Sequence, residues 1–316
     1  MKKFFRRCFY FISLPTLILL TLFYLHSAFP LMSDYDYDGG LKLKHQLLEK
    51  NKDKKKIIFI GGSNLSMGIN SNQIKSSFPD YQIINYGHRF QYGLDFYISE
   101  IKPYLIKHDI VVIVPEYQLI LDDYFGTQQL SKVRLEKLNY SNFKINLSPR
   151  DFLEYTIERS QFLHELSVGS FPNSLNHNRV NAFNEFGDCT AHWFWNNIKH
   201  SEYREPSKIK LIDIHYLENF IKTFTKKGIH FILTPPMYEK SSFAINQNLI
   251  EANVKFYKKA GLTYAYPIDK MILDSKYFYD SPYHLLHEGV QIKTNKIISV
   301  LMNEIKARMH NNAYKK

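Results

Sequence analysis

Cysteine is nearly absent from this chain: its 316 residues contain two, Cys8 and Cys189, far apart, with Cys8 inside a hydrophobic segment that cannot reach a folded domain. A disulfide framework and a cysteine-based metal site are therefore excluded. Zinc-finger spacing is missing, and so is an aromatic RNA-binding signature, which leaves a formal charge of +11 as a weak argument for nucleic acid. Lys2, Lys3, Arg6 and Arg7 carry four of those charges ahead of the hydrophobic segment. The moderately basic remainder suits an anionic membrane surface or an acidic glycan at least as well. The Gly-Lys-Ser ending of a phosphate-binding P-loop is absent, no internal repeat is evident, and nothing calls for a cofactor.

What the chain does have is apolar material, 45% hydrophobic and 16% aromatic residues, enough for a substantial core. Cys8 to Leu25 is an 18-residue run without a charge, which as a helix would measure ~27 Å and could cross a bilayer. The basic cluster before it places the N-terminus in the cytoplasm and exports everything after Leu25. A cleaved signal peptide is the rival reading. Cleavage favours small residues at both −3 and −1, and here His26 or Leu25 falls at −3, so an uncleaved anchor is favoured. The expected organisation is a basic stub and transmembrane anchor over residues 1–28, a tether over 29–55, and an α/β domain over 56–316. The acidic stretch Asp34 to Asp38 lacks the glutamate that closes a calcium loop and reads as solvated linker.

Beyond the tether, β-branched runs alternate with amphipathic stretches. The runs are Ile57–Ile60, Ile83–Asn85, Ile110–Val114, Phe231–Leu233 and Tyr264–Tyr266; helix-like stretches include Tyr92–Leu105, Leu211–Lys226 and Ile245–Ala260. Continuous apolar strands separated by helices predict a parallel sheet covered on both faces, an α/β doubly wound domain. Functional residues of such sheets gather at the carboxyl ends of strands, where this chain carries Gly61-Gly62-Ser63-Asn64, Asn85-Tyr86-Gly87 and Pro115-Glu116-Tyr117. Residues from about 126 to 207, rich in Asn, Phe, His and Trp, break the rhythm and read as an inserted cap.

A serine on a sharp strand-to-helix turn is presented at the sheet edge, with backbone N–H groups nearby to stabilise an oxyanion. It needs a base, normally a histidine held by a carboxylate or carbonyl. Asp280 and His284, on a proline-containing loop before a helix expected over about 288–308, offer that pair, with His287 as a fallback base. The plainer reading of Ser63 is a helix N-cap or anion-binding turn. Glu116 beside Tyr117 either lines a pocket or pairs with Arg89. Asp188 and His192, four residues apart, are a metal pair or polar pocket groups; without a third ligand no metal is expected.

In the order of these blocks the chain resembles the SGNH/GDSL hydrolase superfamily, which has a flavodoxin-like sheet. Gly61-Gly62-Ser63-Asn64 resembles its first block, Gly87 its second, and Asp280 with His284 its last. The resemblance implies Ser63 as nucleophile, His284 as base, Asp280 as its partner, and an oxyanion hole from Ser63, Gly87 and Asn64. It spans roughly residues 56–309 without the insertion. Three positions depart from the pattern. Gly62 stands where an acidic residue is usual, Glu116 falls in the block that normally supplies an asparagine donor, and Asp280 lies four rather than three residues before the histidine. These departures resemble a divergent branch among surface-polysaccharide proteins, comparable to the SGNH-like domains of alginate O-acetylation proteins and the D-alanine transfer protein of teichoic acid synthesis. That likeness implies a membrane-anchored esterase or O-acetyltransferase acting on a cell-surface glycan, with a membrane-bound acyltransferase as partner. The alternative is a non-catalytic glycan-binding or assembly factor on the same fold.

Overall fold

A computed structural model describes residues 2–28, 30–120, 132–136, 147–170, 179–198, 204 and 213–313. Four strands, β1 (Lys56–Gly61), β2 (Gln82–Asn85), β3 (Ile110–Val114) and β4 (His230–Leu233), form one sheet in the order β2-β1-β3-β4. Every pairing is parallel, with Ile57 opposite Ile83 on one side and Ile110 on the other. The four runs with the strongest β-branched character thus become the sheet. Tyr264–Tyr266 contributes only a parallel bridge from Tyr264 to Leu233, so the expected fifth strand is a short contact at the sheet edge. Tyr238–Glu239 (β5) and Ile272–Leu273 (β6) form a separate parallel pair.

The helices are α1 (Lys2–Ala28), α2 (Gly40–Lys50), α3 (Ser63–Ser66), α4 (Ser71–Ser77), α5 (Gly93–Ile101), α6 (Pro149–Ser167), α7 (Ile214–Lys226), α8 (Lys240–Ile245), α9 (Gln247–Lys259) and α10 (His287–Ala313). Side chains alternate across a strand, and both faces are apolar. Ile58, Ile60, Val111, Ile113 and Phe231 pack with residues of α2, α5, α7 and α9. Ile57, Phe59, Ile110, Val112 and Ile232 pack with Ile74 of α4 and Ile297, Val300 and Leu301 of α10. Each such side chain contributes ~1.5–3 kcal/mol of burial. The layering follows from the sequence: α7 places Leu217, Phe220 and Phe224 on one stripe, and its N-cap Asp213 accepts the His215 N–H.

Helices on both sides of a parallel sheet make the chain a mixed α/β protein, compatible with a doubly wound fold. The connection from β1 to β2 carries α4 on one face, and that from β2 to β3 carries α5 on the other. The winding reverses between β1 and β3, and their carboxyl ends open a crevice.

The stretch expected to be a solvated tether is instead built into the fold. Tyr37, Asp38, Gly39, Gly40 and Leu41 are buried. Asp38 Oδ1 accepts from Arg89 Nε at 2.7 Å and from the Tyr92 hydroxyl at 2.6 Å, and Tyr37 stacks on His88 at 4.2 Å between centroids. Burial pushes the Asp38 carboxyl up, but Arg89, His88 and Lys132 outweigh it and hold it well below the usual range. An acidic run that reads as linker by composition becomes interior once its counter-charges arrive from distant segments.

Helix α1 contains the N-terminal hydrophobic run. Among the described residues no helix is long and apolar enough to cross a membrane; the side chains of Cys8 and of residues 19–28 lie outside that description. The insertion is also described in part. Tyr155 and Phe162 of α6 pack on Met32, and the Phe186 carbonyl accepts the Asn85 N–H at 2.9 Å. Residues 126–131, 137–146, 171–178, 199–203 and 205–207 fall outside the described residues.

Candidate active site

Strand β1 runs into Gly61 and Gly62, and Ser63 starts α3 at the mouth of the crevice. An open pocket of about 250 Å³ lies over it, lined among others by Tyr37, Arg89, Glu116, Gln118, Asp280 and His284. That volume suits a small-molecule group or one sugar unit. Ser63 Oγ stands 2.8 Å from His284 Nε2, and His284 Nδ1 stands 2.6 Å from Asp280 Oδ1. A carboxylate can only accept, so Nδ1 carries the hydrogen and Nε2 faces Ser63 with its lone pair.

The loop that presents this pair is closed on itself. Phe278 bridges Leu285 antiparallel, both fully buried, and the Tyr279 N–H donates to the His284 carbonyl at 2.8 Å. Ser281 Oγ accepts the backbone N–H groups of Tyr283 and His284 at 3.3 and 3.2 Å. Ser281 therefore caps the turn, and the turn carries the carboxylate of Asp280 round to the imidazole despite the four-residue spacing.

Glu116, just past β3, lines the pocket instead of pairing with Arg89, whose partner is Asp38. Its Oε1 lies 2.9 Å from Ser63 Oγ and accepts the Asn64 N–H at 2.8 Å. The register explains the meeting: Gly61 pairs with Val114, so the residues following each strand are neighbours. Burial pushes the Glu116 carboxyl above its ordinary value, and the Asn64 N–H, His284, Ser63 and Lys293 pull it back only in part.

Of the expected oxyanion donors, the Gly87 N–H donates to Asn85 Oδ1 at 3.1 Å. The Asn64 side chain is buried, with Nδ2 donating to the Val114 carbonyl at 3.1 Å. Ser63's own N–H has no assigned acceptor among the described residues. Tyr117 is buried, its N–H donating to the Tyr283 hydroxyl at 3.1 Å, outside the pocket lining. Asp188 and His192 also lie away from the pocket. The Asp188 carboxylate accepts from Ser71 Oγ at 2.6 Å, Ser71 N at 2.8 Å and Asn85 Nδ2 at 2.8 Å, a latch between α4 and β2. His192 Nε2 lies 3.0 Å from the Leu285 carbonyl. No group of three or more potential metal ligands occurs among the described residues. His287 begins α10 and stacks on Phe194 at 4.6 Å.

Lys293 was not signalled by any motif. It is fully buried on α10 and donates to the Asn64 carbonyl at 2.6 Å, and burial lowers its amine to about 7 against the pull of Glu116. A lysine in register with Val290, Ile297 and Leu301, all buried on the same helix, is the trace it leaves in the sequence. Compared with known proteins, the chain matches no family model, and no curated protein shows significant similarity to it.

Proposed function

We propose that the protein is a serine acyl-ester enzyme, an esterase or O-acyltransferase of the SGNH type, held at the outer face of the cytoplasmic membrane by its N-terminal segment and acting on a cell-surface glycan. The observation that carries the chemistry is the chain of contacts from Asp280 through His284 to Ser63, at 2.6 and 2.8 Å, within hydrogen-bond reach for proton relay. Ser63 Oγ attacks an acyl carbonyl, and its proton passes to His284 Nε2 as the carbon–oxygen bond forms. The imidazolium is steadied by Asp280. The leaving oxygen takes that proton back, and water or a sugar hydroxyl repeats the sequence to release the acyl group. This reading assigns the oxyanion to the Ser63 N–H at the start of α3, which has no acceptor among the described residues. The export reading rests on the uncharged run behind four basic residues, and a membrane-bound acyl donor protein would fit a transferase anchored beside it.

A second reading, a glycan-binding or assembly factor without catalysis, is favoured by the commitment of the Gly87 and Asn64 N–H groups to internal acceptors. Fluorophosphonate labelling separates the two. Full-length wild type labelled at Ser63 and unlabelled Ser63→Ala, with p-nitrophenyl acetate turnover lost in parallel, supports the enzyme. Equal inertness of both folded proteins moves the second reading into first place. The full chain is required, because residues 32–41 are part of the fold.

A further inference from the structure

The hydroxyl of Ser63 has one proton and two acceptors within reach, His284 Nε2 at 2.8 Å and Glu116 Oε1 at 2.9 Å. A serine whose hydrogen bond is spent on a carboxylate does not present that proton to its base. Hydrogen bonds to an ionised acceptor are roughly twice as strong as neutral ones, so an ionised Glu116 wins this contest. The same negative charge beside the reacting carbonyl would also oppose an oxyanion.

Burial works against that ionised form and outweighs the neighbours that favour it. The side chain is buried. The groups facing it are the Ser63 hydroxyl and the Asn64 N–H on the α3 side, His284 from the last loop, Lys293 from α10 and Tyr97 from α5. Of these, Lys293 is the one amine, and its own burial lowers it to about 7. Burial thus disfavours the charged form of both members of this pair, raising Glu116 and lowering Lys293. A Cβ at position 62 would fall 2.3 Å from Glu116 Oε1, so the glycine leaves open the space that the carboxyl group occupies against the serine. The carboxyl group is held there by the hydrogen bonds its Oε1 accepts from Ser63 Oγ and the Asn64 N–H.

We propose that Glu116 sets the reactivity of Ser63 through its charge: ionised, it holds the serine proton away from His284, and neutral, it releases that proton to His284 while keeping its own. This rests on Ser63 being the nucleophile. In the active state the Ser63 O–H bond breaks as the bond from Oγ to the acyl carbon forms, the proton moves to His284 Nε2, and the carbonyl electron pair moves to its oxygen. Glu116 stays protonated throughout and offers its hydrogen within the pocket. Raising the pH switches the site off by ionising Glu116.

Two measurements on the full-length protein test this: fluorophosphonate labelling rates from pH 5 to pH 9, and the His284 imidazole followed by NMR in ¹³C-histidine-labelled protein, assigned by its loss in His284→Gln. Glu116→Gln, neutral at every pH and of the same shape, is expected to label about tenfold faster than wild type at pH 8, from the weaker grip of a neutral acceptor. The advantage should shrink as the pH falls and Glu116 takes up its proton. The wild-type His284 signal is expected to show a second inflection that Glu116→Gln lacks. Equal profiles, or slower labelling of Glu116→Gln throughout, overturn the proposal. If no protein labels at all, the nucleophile reading falls, and the NMR titration still decides whether Glu116 senses and biases His284: one inflection in both proteins overturns that too.

Discussion

A Cβ at residue 62 would stand 2.3 Å from Oε1 of Glu116 and 2.7 Å from its Cδ, so a side chain at 62 and the carboxyl group of Glu116 cannot occupy the site together. The carboxyl group enters from the end of β3, and the turn after β1 has no side chain in its way.

That exclusivity is measurable. Gly62→Ala is expected to cost about 1–3 kcal/mol in urea unfolding, the range for overfilling a packed site. In a Glu116→Ala background the penalty should shrink, giving a coupling of at least about 0.5 kcal/mol in the double-mutant cycle. Additivity of the two substitutions would mean that the turn accommodates the methyl group by another route.

In the proposed mechanism Asp280, 2.6 Å from His284 Nδ1, steadies the imidazolium formed during the reaction, so Asp280→Asn should depress the labelling rate of Ser63 by about 10²–10⁴ with the fold intact. Ser281→Ala removes only the hydroxyl that caps the turn and should cost far less. Circular dichroism on both variants separates lost chemistry from lost structure.

Lys293 and Glu116 shift stability with pH in opposite directions. The Lys293 amine is lowered from 10.5 to about 7, so between those pH values the unfolded chain holds the extra proton and stability rises with pH. The melting temperature of wild type relative to Lys293→Met should therefore climb from pH 7 to pH 9. Glu116 is raised from 4.5; the stability tied to its neutral form is complete below 4.5 and is lost as pH rises through its folded value. Wild type relative to Glu116→Gln should accordingly lose melting temperature above pH 4.5.

Asp38 is buried beneath Arg89, Tyr92 and Lys132. Asp38→Ala removes the acceptor of Arg89 Nε and of the buried Tyr92 hydroxyl and should cost about 1–3 kcal/mol in denaturant unfolding. Since Tyr37 and Arg89 line the pocket, Ser63 labelling should fall as well.

The sheet and the three polar residues at its mouth were legible because they depend on local signals. Apolar runs such as Ile110–Val114 are continuous where both faces are covered, and Ser63, Asp280 and His284 each sit in a turn whose residues announce it. What was hidden depends on pairings between distant segments. Asp38 looks solvated until Arg89 is placed beside it, and Glu116 looks as though it could serve Arg89 until the register of Gly61 with Val114 sets it against Ser63. Gly87 carried the right residue at the right strand end, yet its N–H is taken by Asn85 two positions earlier, a contact no spacing rule discloses. The Tyr264 run has strand composition but meets the sheet at one bridge.

Tyr37 belongs at once to the pocket wall and to the segment that follows α1. Even fully stretched, the chain from Ala28 to Tyr37 reaches no more than about 32 Å. With α1 as the anchor proposed above, the reactive centre is on a short leash: it patrols a thin layer next to the lipid, and a long polymer must be drawn past it rather than sought out. A protease cutting close to Ala28 would free the whole catalytic body with its pocket intact, whereas a cut beyond Tyr37 would remove part of the wall and silence it.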